Sequence, residues 1–261
     1  MKDDDKLKST IYYARYGRKL GLNRYGFIVQ LIAFIAIFDG IVAAYLGPAT
    51  YYASNFAARF LSTPSIDSTR FIFTDVFYAY SAGRLPTAFE SGLYLAVSAV
   101  LILAIAAWKH NPVPRIFSMW LVFCLLLVFF TALYFLMFGR SFPYTLRDFS
   151  LLYMEMQCAL WLVIPVALAV FLALFLFDYK AVALNVIVMA VTIVYSVLFG
   201  IVRYALFLSV LERTSYFWMS LMFFVFGPFM DFIYISAIFS FYVLFLSGAH
   251  KKSTEIWKWV S

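Results

Sequence analysis

Long apolar runs recur along this 261-residue chain, and they restrict its possible folds more than any other feature. A run of about 18 or more apolar residues is long enough to form a helix that crosses the hydrocarbon core of a membrane. Hydrophobic residues make up 65% of the chain and charged residues only 13%, whereas a soluble domain carries about 25% charged residues. The sequence therefore predicts an all-α integral membrane protein that crosses the bilayer several times and has membrane lipids as partners.

The apolar runs divide into six predicted transmembrane helices, at residues 26–47, 88–108, 116–138, 149–177, 181–203 and 216–246. The fourth and sixth helices are longer than the roughly 20 residues that one crossing needs, so they must tilt, bend or project beyond the bilayer. Pro165 can bend the fourth helix. Gly227 and Pro228 can break the sixth, because proline removes a backbone donor and clashes with the preceding turn.

The distribution of lysine and arginine predicts that both termini lie inside the cell. With the N-terminus inside, thirteen of the 20 basic residues fall in inside segments, and the seven outside are all arginine. Cytoplasmic loops of membrane proteins carry such an excess of positive charge. The net charge of +7 is then explained by topology and by attraction to anionic lipids, so no nucleic-acid partner is expected.

This topology divides the chain into three parts. A basic cytoplasmic segment at 1–25 precedes a single transmembrane domain at 26–246, and a cytoplasmic tail follows at 247–261. Residues 1–6 include KDDDK, which resembles part of an epitope tag and could equally be native. We therefore expect the functional residues to lie in the transmembrane domain or its loops.

The one long connection, residues 48–87, lies outside the cell in this topology and is rich in aromatic residues. Loops of this length are usually functional or disordered, and this one is too aromatic for disorder. We expect short helices that lie at the outer membrane interface and are anchored there by aromatic side chains. The connection either only covers the ends of the transmembrane helices or forms a platform that admits a substrate.

Four ionisable residues fall within the predicted transmembrane helices: Asp39, Glu155, Arg203 and Asp231. A charge inside the membrane is costly, so such residues indicate a functional site by default. Cys158 lies one helical turn beyond Glu155 and shares its helix face. With Arg203 at the outer end of the fifth helix, these side chains fall in the outer half of the membrane, and Asp231 lies deeper.

A thiol and a guanidinium at similar depth are suited to nucleophilic chemistry. A nearby cation favours the reactive thiolate, and an arginine stabilises an oxyanion in a dry site. Glu155 opposes this if it is ionised beside the thiol, but it can instead pair with Arg203 and orient it. The alternatives are structural: Cys158 as a small buried hydrophobic side chain, and Arg203 as a residue that reaches the membrane surface.

The segments YMEMQCALW, which contains Cys158, and LFGIVRYALFLSVL, which contains Arg203, resemble the core of the exosortase and archaeosortase family. Members of that family are multipass membrane cysteine transpeptidases, in which an arginine at the end of the next helix follows the cysteine. The order of helices and loops is similar over residues 26–246, and the motifs that resemble the family lie within residues 150–210. This resemblance implies that Cys158 is the nucleophile, that Arg203 stabilises the oxyanion, and that the substrates are exported proteins with C-terminal sorting signals.

The chain departs from the family pattern at three points. Ala159 and Leu160 follow the cysteine, where the family usually has Ser or Thr and then Gly. Gly200 stands where the family usually has asparagine, three residues before the arginine. The third site, usually histidine or arginine, is taken by Asp231, which would pair with Arg203 or act as a base. The resemblance therefore implies either an active or an inactive member.

Two functions are compatible with these patterns. The first is a cysteine transpeptidase that acts at the outer face of a prokaryotic cytoplasmic membrane. The second is a non-catalytic subunit that scaffolds an envelope transport or assembly complex, for which the 31 phenylalanines offer wide aromatic surfaces. A lipid or small-molecule carrier is favoured only if the 48–87 connection roofs a cavity. We expect no metal or cofactor.

Overall fold

A computed structural model of the protein describes residues 18–20, 24–107, 114–174, 179–250 and 257–259. The KDDDK stretch lies outside the described residues, as does most of the predicted tail. In chain order the elements are β1 (Arg18–Leu20), α1 (Arg24–Phe34), a π-helical turn (Ile35–Asp39), α2 (Gly40–Ala58), β2 (Ser65–Phe71), β3 (Thr74–Tyr80), α3 (Ala88–Ala107), α4 (Arg115–Phe138), a 3₁₀ turn (Gly139–Ser141), α5 (Leu146–Leu174), α6 (Tyr179–Arg213), a 3₁₀ turn (Tyr216–Trp218), α7 (Met219–Phe224), α8 (Pro228–His250) and β4 (Trp257–Trp259).

Six helical segments of the described chain are long and apolar enough to cross a membrane, which confirms the predicted number and order. They are Tyr25–Ala58, Ala88–Ala107, Arg115–Phe138, Leu146–Ala173, Val182–Arg213 and Tyr216–Leu246. Two of them extend well beyond their predicted ends, because the first runs through Pro48 and the fifth through Arg203.

The predicted break in the sixth helix is confirmed. α7 ends at Phe224, and α8 begins at Pro228 after a three-residue turn. Proline suits the first position of a helix, where its missing amide is not needed. Pro165, in contrast, lies within α5, which is one helix from Leu146 to Leu174.

Two of the membrane-length helices begin with a capping box. Thr87 accepts from the backbone N–H of Glu90 at 3.2 Å, and the Glu90 carboxylate accepts from the N–H of Thr87 at 2.8 Å. Thr145 and Asp148 form the same reciprocal pair before α5, at 3.3 and 2.8 Å. Each box satisfies amide groups that a helix start leaves without partners, so the patterns TAFE and TLRD fix where α3 and α5 begin.

The second half of the 48–87 connection is a β-hairpin, which corrects the expectation of short interfacial helices. β2 and β3 pair antiparallel from Ser65 opposite Tyr80 to Phe71 opposite Thr74. The two-residue turn between them contains Ile72, which has a positive φ of 53°. The physical reason lies in the sequence TDVFYAY, where β-branched and aromatic residues fit a pleated, half-buried surface. The first half of the connection is helical, but as a continuation of the first long helix.

The chain divides into two compact units. The first contains residues 1–41, 162–194 and 234–261, and the second contains 42–161 and 195–233. The predicted single domain at 26–246 stays a prediction.

The first unit has its own apolar core and a short buried polar link. The fully buried side chains of Leu168, Leu172 and Met189 form the centre of this core. Within it, the Tyr242 hydroxyl donates to Asn185 Oδ1 at 2.5 Å, and Asn185 Nδ2 donates to the Leu172 carbonyl at 3.1 Å. These bonds satisfy an amide that would otherwise be costly in an apolar interior.

In the second unit, side-chain hydroxyls from the helices hold the hairpin. The backbone N–H of Ala79 donates to the Tyr204 hydroxyl at 2.7 Å, and Ser150 Oγ donates to the Ala79 carbonyl at 2.5 Å. The Ser150 and Tyr204 hydroxyls also lie 2.6 Å apart. All three residues are buried, so these bonds fix β3 against α5 and α6.

We expect Tyr204→Phe to loosen the hairpin without unfolding the helices. The change leaves the buried Ala79 N–H without its acceptor, at a cost of about 1–3 kcal/mol. Hydrogen exchange of the β3 amides should accelerate roughly tenfold or more, since about 1.4 kcal/mol corresponds to a factor of ten. Tyr45→Phe, at an exposed position on α2, is the matched control. Unchanged exchange in the Tyr204 variant would show that the hydroxyl does not anchor the hairpin.

Candidate functional site

Arg203 lies inside the protein, which corrects its predicted position at the outer end of a helix. α6 continues for ten residues beyond it to Arg213, a rise of about 15 Å. The side chain is only 4% exposed. The prediction failed because the apolar residues after Arg203 extend the same helix. Arg203 is therefore not a snorkelling residue, and its charge must be balanced by neighbouring groups within the protein.

The guanidinium of Arg203 is held by groups from three parts of the second unit. Nη2 donates to Gln157 Oε1 of α5 at 2.5 Å and to Asp231 Oδ2 of α8 at 2.8 Å. Nη1 donates to the carbonyl of Gly227 at 2.9 Å. We call Arg203, Gln157, Asp231 and Gly227 the polar cluster. It joins α5, α6 and the break before α8.

The Arg203–Asp231 ion pair is one of the two arrangements that the sequence predicted for Asp231. Its side chains are 4% and 2% exposed, so both charges are removed from solvent. A buried pair of this kind is stable only when further hydrogen bonds satisfy the remaining donors and acceptors. Gln157 and the Gly227 carbonyl supply such bonds to the guanidinium, whereas Asp231 Oδ1 has no hydrogen-bond partner among the described residues.

Two aromatic rings complete the surroundings of the guanidinium. Its carbon atom lies 5.2 Å from the ring centre of Phe199 and 5.8 Å from that of Tyr153. Both distances lie within the range in which a cation is attracted to a ring face. Arg203 is thus held by a carboxylate, an amide, a carbonyl and two rings, which together fix its position.

The break before α8 makes the Gly227 carbonyl available to Arg203. A Cβ at Gly227 would meet the backbone carbonyl oxygen of Phe223, so the residue must be glycine for this turn to keep its shape. The same carbonyl accepts from the N–H of Met230 at 3.1 Å. The Gly-Pro pair that the sequence marked as a helix breaker therefore also supplies part of the polar cluster.

Gln157 has no predicted role, although its position in the sequence carries a signal for one. Tyr153, Gln157 and Trp161 are spaced four residues apart, so they share one face of α5, and all three are buried. An amide on a buried helix face requires a polar partner. Opposite this face, Gly200 leaves room for the amide, because a Cβ there would lie 3.1 Å from Gln157 Nε2.

Cys158 is completely enclosed by protein, with 0% of its surface exposed. It follows Gln157 directly, and consecutive helical side chains point about 100° apart. The hydrogen bonds of the polar cluster bind the guanidinium to Gln157, Asp231 and Gly227 rather than to the thiol. Burial at this position fits a small hydrophobic side chain.

The other predicted charged residues do not join the polar cluster. Glu155 is half-buried, and the carboxylate that pairs with Arg203 in the described structure is Asp231. Asp39 ends the π-helical turn and belongs to the first unit. Of the four ionisable residues named from the sequence, the structure brings Arg203 and Asp231 together.

The second unit also contains a cavity of about 280 Å³. Its lining consists of Phe142, Tyr144, Phe149, Leu152, Met219, Ser220, Phe223 and Phe224. Neither Cys158 nor Arg203 is among these residues, and none of them comes from the 48–87 connection. Cys158 therefore does not line this cavity, and the 48–87 connection does not roof it as a carrier would require.

No family model, curated protein or solved structure matches this chain. The similarity to the exosortase and archaeosortase family therefore stays a prediction from the sequence.

Proposed function

We propose that this protein is a non-catalytic subunit of a membrane assembly, in which the polar cluster holds the transmembrane helices in place. It would lie in a prokaryotic cytoplasmic membrane with both termini inside, and the hairpin would face outward. The observation that carries this proposal is the engagement of Arg203. An oxyanion needs donors that point into an open site, whereas this guanidinium is bonded to Asp231, Gln157 and Gly227.

The burial of Cys158 supports the same proposal. A nucleophilic cysteine acts as a thiolate in a partly exposed, electropositive environment, whereas structural buried cysteines are inert. Cys158 is fully enclosed, and Arg203, the cation that the family resemblance assigns to it, is already neutralised by Asp231. A thiol in these surroundings is poorly suited to covalent chemistry.

The cysteine transpeptidase remains the second candidate, because one contact favours it. Gln157, the residue next to Cys158, bonds to Arg203, so the two positions that carry the exosortase resemblance lie on touching segments of α5 and α6. This function would require the cluster to open, so that Arg203 exchanges Asp231 for the substrate.

We expect Cys158 to resist a membrane-impermeant maleimide in the folded protein. The labelling would use a Cys124→Ala background, so that Cys158 is the only thiol. Ser68→Cys, which adds a thiol at an exposed position on β2, is the positive control and should label fully. Rapid labelling of Cys158 from the outer face would contradict its enclosure and favour the transpeptidase.

The subunit role predicts that Cys158→Ala changes neither folding nor assembly. The variant should be recovered from native membranes with the same partner chains, in the same ratio, as the unaltered protein. A transpeptidase would instead lose its nucleophile, and exported proteins would keep their C-terminal sorting signals. Accumulation of such unprocessed proteins in cells that carry Cys158→Ala would overturn the proposal.

A further inference from the structure

The two edges of the β-hairpin are bonded differently. A two-residue turn makes Phe71 and Thr74 a hydrogen-bonded pair, and alternate residues along each strand then direct their backbone groups outward. On β3, helix hydroxyls bond to two of the three outward positions, Phe77 and Ala79. The N–H of Phe77 donates to Thr50 Oγ1 at 3.3 Å, and Ala79 bonds to Tyr204 and Ser150. These bonds occupy the β3 edge at Phe77 and Ala79.

On β2 the outward positions are Ile66, Ser68 and Arg70. All three residues are exposed, and their outward N–H and C=O groups bond to no other part of the described chain. Natural edge strands are blunted by charged side chains, by proline, by a bulge or by a covering element, and among the outward residues of β2 the one charged side chain is Arg70. All seven residues of β2 pair one to one with β3, so the strand has no bulge, and its sequence SIDSTRF contains no proline. The β2 edge is therefore open to a further strand.

Charge indicates what kind of strand would fit. Asp67 is already paired with Arg147 at 2.9 Å. Arg70 makes no ion pair with the residues that the structure describes, although Asp75 lies opposite it on β3. A strand added along β2 would thus find an apolar side chain at Ile66 and an unpaired cation at Arg70. An acidic residue beside Arg70 complements this edge.

We propose that the outer edge of β2 binds an extended segment of a partner polypeptide, which adds a third strand and places an acidic side chain beside Arg70. This rests on the proposed subunit role and names its partner class. Main-chain hydrogen bonds would supply affinity, and alternate side chains would supply specificity. The hydroxyls of Thr50, Ser150 and Tyr204 hold the hairpin in place before binding, which reduces the entropic cost of adding a strand.

The test uses the full chain in lipid nanodiscs and a fluorescent peptide as the probe. The peptide has the seven-residue length of β2 and alternates valine with threonine, except for glutamates at its second and sixth positions. One of these glutamates lies opposite Arg70 whether the peptide pairs antiparallel or parallel along β2. Binding is measured by fluorescence anisotropy. Ser68→Pro should weaken binding at least tenfold, because it removes an outward N–H while leaving the inward ladder to β3 intact. Ser68→Ala keeps that N–H and should bind like the unaltered protein.

Reversing the charge at Arg70 distinguishes a specific loss of strand addition from unfolding of the hairpin. Arg70→Glu should lose affinity for the glutamate peptide and gain affinity for a matched lysine peptide. Equal binding to the Ser68→Pro and unaltered proteins, or no binding up to about 1 mM peptide, would overturn the proposal. Dimerisation that Ser68→Pro abolishes would also overturn it, by assigning the edge to a second copy. These outcomes do not depend on the Cys158→Ala result, so the two proposals fail separately.

Discussion

Replacing Arg203 with leucine is expected to destabilise the protein by about 3–5 kcal/mol, the cost of leaving one charge of a buried pair without its partner. Asp231 would stay 1% exposed with no cation to neutralise it. Gln157 Oε1 would lose the N–H group that donates to it. A loss of this size is a large fraction of the free energy that stabilises a typical domain. The variant should therefore be recovered in greatly reduced folded amounts, as measured by size exclusion of a fluorescent fusion after heating in detergent.

The matched control removes both charges together. Arg203→Leu combined with Asp231→Leu leaves no unpaired ion, and replacing a buried pair by apolar residues is often neutral or stabilising. The double variant should therefore recover most of the lost stability. If the Arg203→Leu variant were as stable as the unaltered protein, or if the double variant were less stable than either single one, the ion pair would not hold the helices together.

Gly227→Ala is expected to destabilise the protein by about 1–3 kcal/mol, the usual cost of forcing atoms into a packed site. Its Cβ would meet the backbone carbonyl oxygen of Phe223, which cannot move aside as a side chain can. The turn must shift, and the Gly227 carbonyl would move away from Arg203. The midpoint of thermal denaturation, measured by the same fluorescence method, should fall accordingly.

Gly92→Ala is the control for this substitution, because a Cβ at Gly92 meets nothing within 4 Å. It should leave the midpoint unchanged or raise it slightly, since alanine favours a helix over glycine. The Gly227 effect should also shrink in the Arg203→Leu and Asp231→Leu double variant, because residues of one network do not act additively. Fully additive effects would mean that the break and the ion pair are independent.

The six membrane-length helices could be predicted because their signal is local. Each is an apolar run of sufficient length, and the break at Gly227 and Pro228 follows from the chemistry of two adjacent residues. The end of the fifth helix was misplaced because a buried arginine and an interfacial arginine look alike in a sequence. Only the partner distinguishes them, and Asp231 lies 28 residues away along the chain.

The hairpin and the polar cluster depend on contacts that a single sequence does not reveal. The aromatic residues of TDVFYAY indicated membrane anchoring, but Tyr78 is instead buried, as is Val76 two residues before it. The hydroxyls of Ser150 and Tyr204 that fix β3 come from distant helices. Gln157 was recognisable as an unusual amide in an apolar helix, but its bond to Arg203 required the packing of α5 against α6.

One comparison tests most directly whether Arg203 serves structure rather than catalysis. Cells that carry the Arg203→Leu and Asp231→Leu double variant would be compared with cells that carry the unaltered protein, by mass spectrometry of the C-termini of exported proteins and of the chains that co-purify. If Arg203 serves structure, the C-termini and the partners should both be unchanged, because the double variant folds and no catalytic group is lost. A stably folded double variant that leaves exported proteins with uncleaved C-terminal signals would contradict a structural role for Arg203.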